Sequence, residues 1–173
     1  MAAALRPVTD GLVLSANDPR AEQWLPGVAV VPDAYPAKGG LAGVESGLGE
    51  AAAKGNDALC VAWDMPFVTT ELLAALAEHA RAHDLDAVLP ASDSPHGFEP
   101  FCGFYAGRLH PALRAFLAGS GSAAHAFLRT LDRVRFMTPA ELGINAADRR
   151  PYFLSVNSAG DLERARTLGG DTQ

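Results

Sequence analysis

The chain has 173 residues, enough to bury one substantial core without disulfide or metal staples, so a single domain over residues 1–173 is expected. Hydrophobic residues make up 49% and charged residues 20%, the balance of an ordinary soluble globular protein. The formal net charge of -6 excludes the broad basic footprint by which proteins hold nucleic acid, and leaves a small phosphorylated ligand open.

Short apolar runs alternate with helical patterns along the chain. Leu12 to Ala16 reads as a strand that ends at the turn-forming Asn17-Asp18-Pro19. Val28 to Val31 reads as a second strand, stopped by Pro32-Asp33. Leu41 to Ala53 carries apolar residues at helical spacing, with Gly39-Gly40 before it and Gly55-Asn56 as its stop. Ala58 to Trp63 is an apolar run of strand length ending on Asp64, and Pro66 stops further pairing. Thr69 or Thr70 caps the next helix, Glu71 sits near its positive end, and Leu72, Leu73, Leu76 and Ala80 form its inward stripe.

Ala87 to Leu89 reads as a strand, Ser92 to Gly97 as a polar, flexible loop suited to a site, and Pro100 to Tyr105 as another strand. Two helices are expected over Pro111 to Leu117 and Ala123 to Leu131, broken by Gly119-Ser120-Gly121. Val134 to Met137 reads as a strand. Leu142 to Pro151 reads as a polar connection with adjacent arginines, and Phe153 to Val156 as a last strand. Asp161 to Leu168 closes the chain as a helix, ahead of a frayed tail from Gly169 to Gln173. Strands alternating with helices imply βαβ units, a mostly parallel sheet and helices on both of its faces: an α/β, Rossmann-like, doubly wound fold.

The chemistry of such a sheet sits at the carboxyl ends of its strands. Asp64 is the strongest single candidate. Magnesium takes hard oxygen ligands and keeps several waters, so one carboxylate plus substrate phosphates suffices; a helix cap or turn former is the bland alternative. Pro32 to Gly43 forms a strand end, a stiffened turn and glycines opening a helix, where backbone amides can bind an anion. Within it, Asp33 can accept hydrogen bonds from a sugar hydroxyl or a base, or simply cap the turn. Asn17 divides between ligand contact and a local turn; Asn157 can contact a ligand, or else Asn157 or Ser158 caps the final helix. His79 and His83 share a helix face but have no third ligand at metal spacing, His96 lies in the polar loop, His110 starts a helix and His125 packs. Ser46, Ser120 and Ser122 lack the setting of a nucleophile elbow.

Lys38 and Lys54 are the chain's lysines, so a phosphate site leans on arginine, backbone amides or metal. Cys60 and Cys102 lie in apolar runs and read as reduced core residues. No stretch reaches membrane-span length, and Met1 to Leu14, with Arg6, Pro7 and Asp10, lacks a signal peptide's apolar block; a cytoplasmic protein is expected.

In order and spacing the chain resembles the molybdenum cofactor guanylyltransferases, the MobA-like nucleotidyltransferases. The resemblance runs through Leu14-Ser15-Ala16-Asn17, Val31-Pro32-Asp33, Gly40-Leu41-Ala42-Gly43 and Asp64-Met65-Pro66-Phe67. It continues through Pro100 to Tyr105 and Ser155-Val156-Asn157-Ser158 with Asp161-Leu162. It implies a nucleotide-diphospho-sugar transferase type of fold and transfer of GMP from GTP to the terminal phosphate of molybdopterin, releasing pyrophosphate. It further implies that Asp64 is the catalytic magnesium and phosphate ligand, that Asn17, Asp33 and Gly40 contact the nucleotide, and that Ser155 and Asn157 meet the acceptor. GTP and molybdopterin are the expected ligands, and a homodimer or contact with molybdopterin-synthesis proteins the expected assembly.

The resemblance departs at two places. Ser155 stands where the family commonly has asparagine. The family also starts with a strand, a leucine-alanine-glycine-glycine loop with arginines and a lysine, and a helix start. Here Met1 to Leu5 begins inside that helix, so about 30 residues, most of a βαβ unit, precede the family's equivalent point. Without them the residues given would lack the phosphate cradle and a middle strand of the sheet, and would transfer little GMP. Cytidylyl transfer to the same pterin, nucleotidyl transfer to another phosphate acceptor, and a non-catalytic binding module are the alternatives.

Overall fold

The computed structural model describes residues 1–144 and 151–170. Its elements follow the expected alternation. A short helix α1 (Ala2–Leu5) leads into strand β1 (Val13–Ser15), strand β2 (Ala29–Val31), helix α2 (Gly40–Ala52) and strand β3 (Ala58–Val61). Helix α3 (Thr70–Ala82), strands β4 (Ala87–Pro90) and β5 (Cys102–Tyr105), helices α4 (His110–Ala118) and α5 (Ala124–Leu128), strand β6 (Val134–Met137) and helix α6 (Ala159–Gly170) complete it.

Two sheets form. β1 and β2 pair in parallel, and β3, β5, β4 and β6 lie side by side in that order. In the larger sheet β4 and β6 are parallel, while β5 runs against both β3 and β4, with Val61 opposite Cys102 and Ala87 opposite Tyr105. β3, β4 and β6 therefore point the same way, and their carboxyl ends share one edge of the sheet.

The larger sheet is covered on both faces. On one face α3 buries Leu72, Leu73, Leu76, Ala77 and Ala80 against Val88, Cys102 and Phe104. Thr69 caps α3 by accepting from the Leu72 amide at 3.3 Å, and the Thr70 hydroxyl ties α1 to it through the Ala4 carbonyl at 2.9 Å. On the other face α2, α4 and α5 enclose Leu41, Leu48, Leu89, Tyr105, Leu113, Leu117 and Phe127. Each fully buried leucine side chain contributes roughly 1.5–3 kcal/mol of transfer free energy. Cys60 packs on the α2 side and Cys102 on the α3 side, so the two thiols face away from each other across the sheet. Burial pushes the Cys102 thiol up to about 12.

Between the sheets the ladder is interrupted. α2 packs on both β1 and β3, yet β1 has β2 as its partner and β3 has β5. A cavity of about 320 Å³ opens between them, lined by Leu12, Val13, Gly47, Ala51, Ala58 and Leu59 among others.

Several boundaries differ from the sequence reading. Phe153 to Val156 is not a strand: Leu154 closes a turn onto the Pro151 carbonyl at 2.9 Å, and Val156 makes a single bond to Asp64, beyond the end of β3, where no ladder can continue. α5 stops at Leu128 rather than Leu131, and α6 runs on to Gly170 rather than fraying from Gly169. The adjacent arginines Arg149 and Arg150, and residues 171–173, lie outside the described residues.

At the amino ends of β4 and β6 an ion-pair cluster fastens the sheet. Asp86 accepts from Arg108 at 2.6 Å and from Arg133 at 2.9 Å, and both arginines also pair with Asp84. Burial alone would raise the Asp86 carboxyl, but the two guanidinium groups hold it below the ordinary aspartate range.

Candidate functional site

The residues singled out from the sequence gather at the carboxyl ends of the strands, in two groups joined by one aromatic side chain. The first group follows β1 and β2. Asn17 and Asp33 bond reciprocally: the Asn17 amide nitrogen donates to Asp33 Oδ2 at 2.9 Å, and the Asp33 backbone N–H donates to Asn17 Oδ1 at 2.9 Å. Ser15 donates to Asp33 Oδ1 at 2.6 Å. Both carboxylate oxygens thus have one protein donor, and each retains a lone pair for another. The local sequence explains the geometry. β1 and β2 pair in register through Ser15 and Val31, and the Pro32 that follows ends the ladder so that the Asp33 side chain turns back onto β1.

The start of α2 lies over this group. Gly39 has φ +65°, a backbone conformation that glycine adopts without strain, and it caps α2 with no side-chain acceptor. A Cβ at Gly43 would stand 3.3 Å from Ser15 Oγ, and one at Gly40 would stand 2.8 Å from the Phe101 ring. Glycine at these positions therefore lets the positive end of α2 come down on Asp33 and on Phe101 together.

Phe101 is the link to the second group. Its ring packs on Gly40, and its carbonyl accepts from the Ala62 amide at 2.7 Å, two residues before Asp64. Asp64 lies in a turn closed by the Met65 amide on the Ala62 carbonyl at 3.2 Å, and its own carbonyl accepts from Val156 at 2.9 Å. Among the described residues no hydrogen bond or ion pair engages its half-buried carboxylate. The Val156 bond brings Ser155 and Asn157 to the same place. Ser158, not Asn157, caps α6. Its hydroxyl donates to Asp161 at 2.7 Å and accepts from the Asp161 amide at 3.1 Å, while the Asn157 backbone donates to the same carboxylate. The Ser158 hydroxyl, then the Asn157 amide, hold the Asp161 carboxyl below its ordinary range. The Asn157 side chain is exposed, with no hydrogen bond to the described residues.

Asn17, Asp33 and Gly40 are thus one cluster, and Asp64, Ser155 and Asn157 another. The cavity between β1 and β3 lies at the opposite ends of those strands. A second, wider hollow, lined by Gly49, Asn56, Asp57, Gly107 and His110, also avoids the candidate residues. Ser15, Gly43 and Phe101 complete the site; the sequence reading has them within motifs but gives none of them a role of its own. Ser15 ends a strand facing Asp33, a pairing that spacing alone does not reveal.

The histidines take other roles. His96 and His125 stack with ring centroids 3.9 Å apart, and His79 and His83 tilt together at 4.5 Å. His110 begins α4 and meets the buried Glu45 of α2 at 2.9 Å. No group of three or more histidine, cysteine, aspartate or glutamate side chains among the described residues is placed to hold a metal ion. Asp64 fits a cation of another kind, one that takes a single hard carboxylate oxygen and fills its remaining positions with water and phosphate. No helix among the described residues is long and apolar enough to cross a membrane.

Residues 1–134 match the MobA-like NTP transferase domain. The molybdenum cofactor guanylyltransferase of Bradyrhizobium sp. (strain ORS 278) is 33% identical over 170 residues, covering 95% of this chain and 76% of that protein. That of Cereibacter sphaeroides is 34% identical over 169 residues, covering 97% of this chain and 80% of its own length. A Chloroflexus aggregans protein named a probable molybdenum cofactor guanylyltransferase is 37% identical over 119 residues, which cover 68% of this chain and 55% of that protein's length. The chain thus spans little more than half of that relative. Among solved structures, the molybdopterin-guanine dinucleotide biosynthesis protein A of Archaeoglobus fulgidus superposes with a TM-score of 0.74. It is 22% identical, with 92% of this chain and 79% of that chain covered, and shows the fold to be shared.

Proposed function

Because this chain belongs to the MobA-like NTP transferase family, we propose that it serves guanylyl transfer: GMP passes from GTP to the terminal phosphate of molybdopterin, and pyrophosphate leaves. An oxygen of the acceptor phosphate attacks the α-phosphorus, and the bond from that phosphorus to the pyrophosphate oxygen breaks. No covalent nucleophile on the protein is needed.

In this reading the first cluster holds the donor. The free lone pairs of Asp33 accept from the nucleoside's N–H or hydroxyl groups, and Ser15 and Asn17 keep that carboxylate aimed. The uncapped amides at the start of α2 face the phosphates. The second cluster holds the acceptor, with the Asn157 side chain offering both donor and acceptor atoms and Ser155 a hydroxyl. Asp64, between them, holds a divalent cation, with magnesium the ion best suited to a lone carboxylate plus water and phosphate. When bound, the cation offsets the negative charge of the α-phosphate and the departing pyrophosphate. The protein's share is to position donor and acceptor in line.

The observation that carries this reading is the Asp64 carboxylate, without a partner among the described residues and joined through Phe101 and Gly40 to the Asp33 cluster and through Val156 to Asn157. Pyrophosphate release with molybdopterin, compared for GTP and CTP and for magnesium and manganese, is the direct test. Asp64→Asn keeps the turn and removes the charge. It is expected to lower the rate by about 10²–10³-fold, the scale of losing one charge-stabilising group. Equal rates in Asp64→Asn and the natural chain, or a preference for CTP, would overturn it.

A further inference from the structure

The turn that carries Asp64 also carries a large apolar side chain left mostly in water. Trp63 is 75% exposed, the most exposed of the large hydrophobic residues. Its neighbours behave otherwise: Met65 and Val68 are buried in the core beneath α3, and Val61 and Ala62 pack against the same cluster. No described aromatic ring stacks on the Trp63 indole. A tryptophan buries more area than any neighbour when it packs, so leaving this one in water forgoes a large gain.

Its backbone is nevertheless firmly held. Ala62 before it donates to Phe101, Met65 closes the turn onto Ala62, and Asp64 after it accepts from Val156. The indole is thus a flat, rigid surface on a fixed base. It stands one residue from the unpartnered Asp64 carboxylate and on the strand end against which Ser155 to Asn157 lies. The Asp33 cluster connects to this turn through Phe101 and Gly40.

We propose that Trp63 is a stacking platform for a planar, fused two-ring heteroaromatic ligand, the pterin of the acceptor. This rests on the guanylyl-transfer reading and deepens it by adding a positioning residue for the acceptor ring. Asp64 and Asn157 deal with charge and hydrogen bonds, and neither offers a face to a ring. Indole stacking supplies one, tolerant of ring substituents and low in ordering cost because a tryptophan has few torsions to fix.

The chain has two tryptophans, so Trp24→Phe leaves Trp63 as the sole indole reporter. Titrating that protein with 6-hydroxymethylpterin monophosphate is expected to quench Trp63 emission to saturation after correction for absorbance. GTP is expected to leave the emission nearly unchanged. Trp63→Phe, with Trp24 as reporter, should show no such quench. In turnover, Trp63→Ala is expected to raise the molybdopterin KM about tenfold, with the GTP KM within twofold and Trp63→Phe restoring most of the loss. Quenching by GTP alone, quenching by neither ligand, or an unmoved molybdopterin KM in Trp63→Ala would overturn the platform while leaving guanylyl transfer intact. Pterin quenching in a protein that transfers CMP in preference to GMP would retain the platform and reject the reading it rests on.

Discussion

β4 and β5 lie inside their sheet with every residue buried, whereas β1 and β2 form a ribbon in which each strand has an exposed residue and, among the described residues, a single strand partner. The larger sheet is covered by helices on both faces; the ribbon depends on α2, which spans it and β3. The difference teaches that stability and candidate chemistry are distributed unequally. The core of the larger sheet holds the fold, while Asn17 and Asp33 of the candidate site ride on its least-supported part.

The contrast can be broken by mutation. The largest effect is expected for Leu76→Ala in α3, a fully buried side chain whose removal should cost about 2–5 kcal/mol by urea denaturation. Asp33→Ala removes the acceptor shared by Ser15 and Asn17, and should cost about 1–2 kcal/mol. Its signature should be faster amide exchange in β1 and β2 with β4 and β5 unchanged. Equal loosening of all four strands would show that ribbon and sheet open as one unit.

The smallest effect sharpens the contrast through pH. Glu141, just after β6, is lowered from the ordinary 4.5 to about 2, first by the Thr138 hydroxyl, then by the Thr138 amide and the Arg135 guanidinium. A depressed carboxyl stabilises fully above its unfolded value, and that contribution is lost as pH falls towards the folded one. Thermal scans should therefore show Tm falling between about pH 4.5 and 2, and Glu141→Gln should flatten part of that fall. An unchanged slope in the variant would remove Glu141 from the account.

Much of this organisation was legible in the sequence because period and punctuation carried it. The stripe of Leu72, Leu73, Leu76 and Ala80, the cap at Thr69 and the stop of β3 before Asp64 are local facts. What escaped is set by partners distant in sequence. The run from Phe153 to Val156 is apolar enough for a strand, but among the described residues its bonds are a local turn onto Pro151 and one to Asp64, beyond the end of β3. β5 reads the same in either direction, and its reversal follows from the sheet it enters. The burial of Glu45 depends on His110, 65 positions away, and the Ser15 contact on Asp33, 18 away. Of the candidate site, the residue types at the strand ends were visible; Phe101 as the bridge between the two clusters was not.

The placement of the cysteines has a practical consequence. Since Cys60 and Cys102 point to opposite sides of one layer of peptide, exposure to air cannot staple them while that layer persists. Cys102 is also almost never a thiolate at neutral pH, so a maleimide has nothing to attack until the chain opens. The rate at which that thiol is labelled is thus a built-in clock for the parting of the central strands, readable by mass spectrometry without any engineered probe.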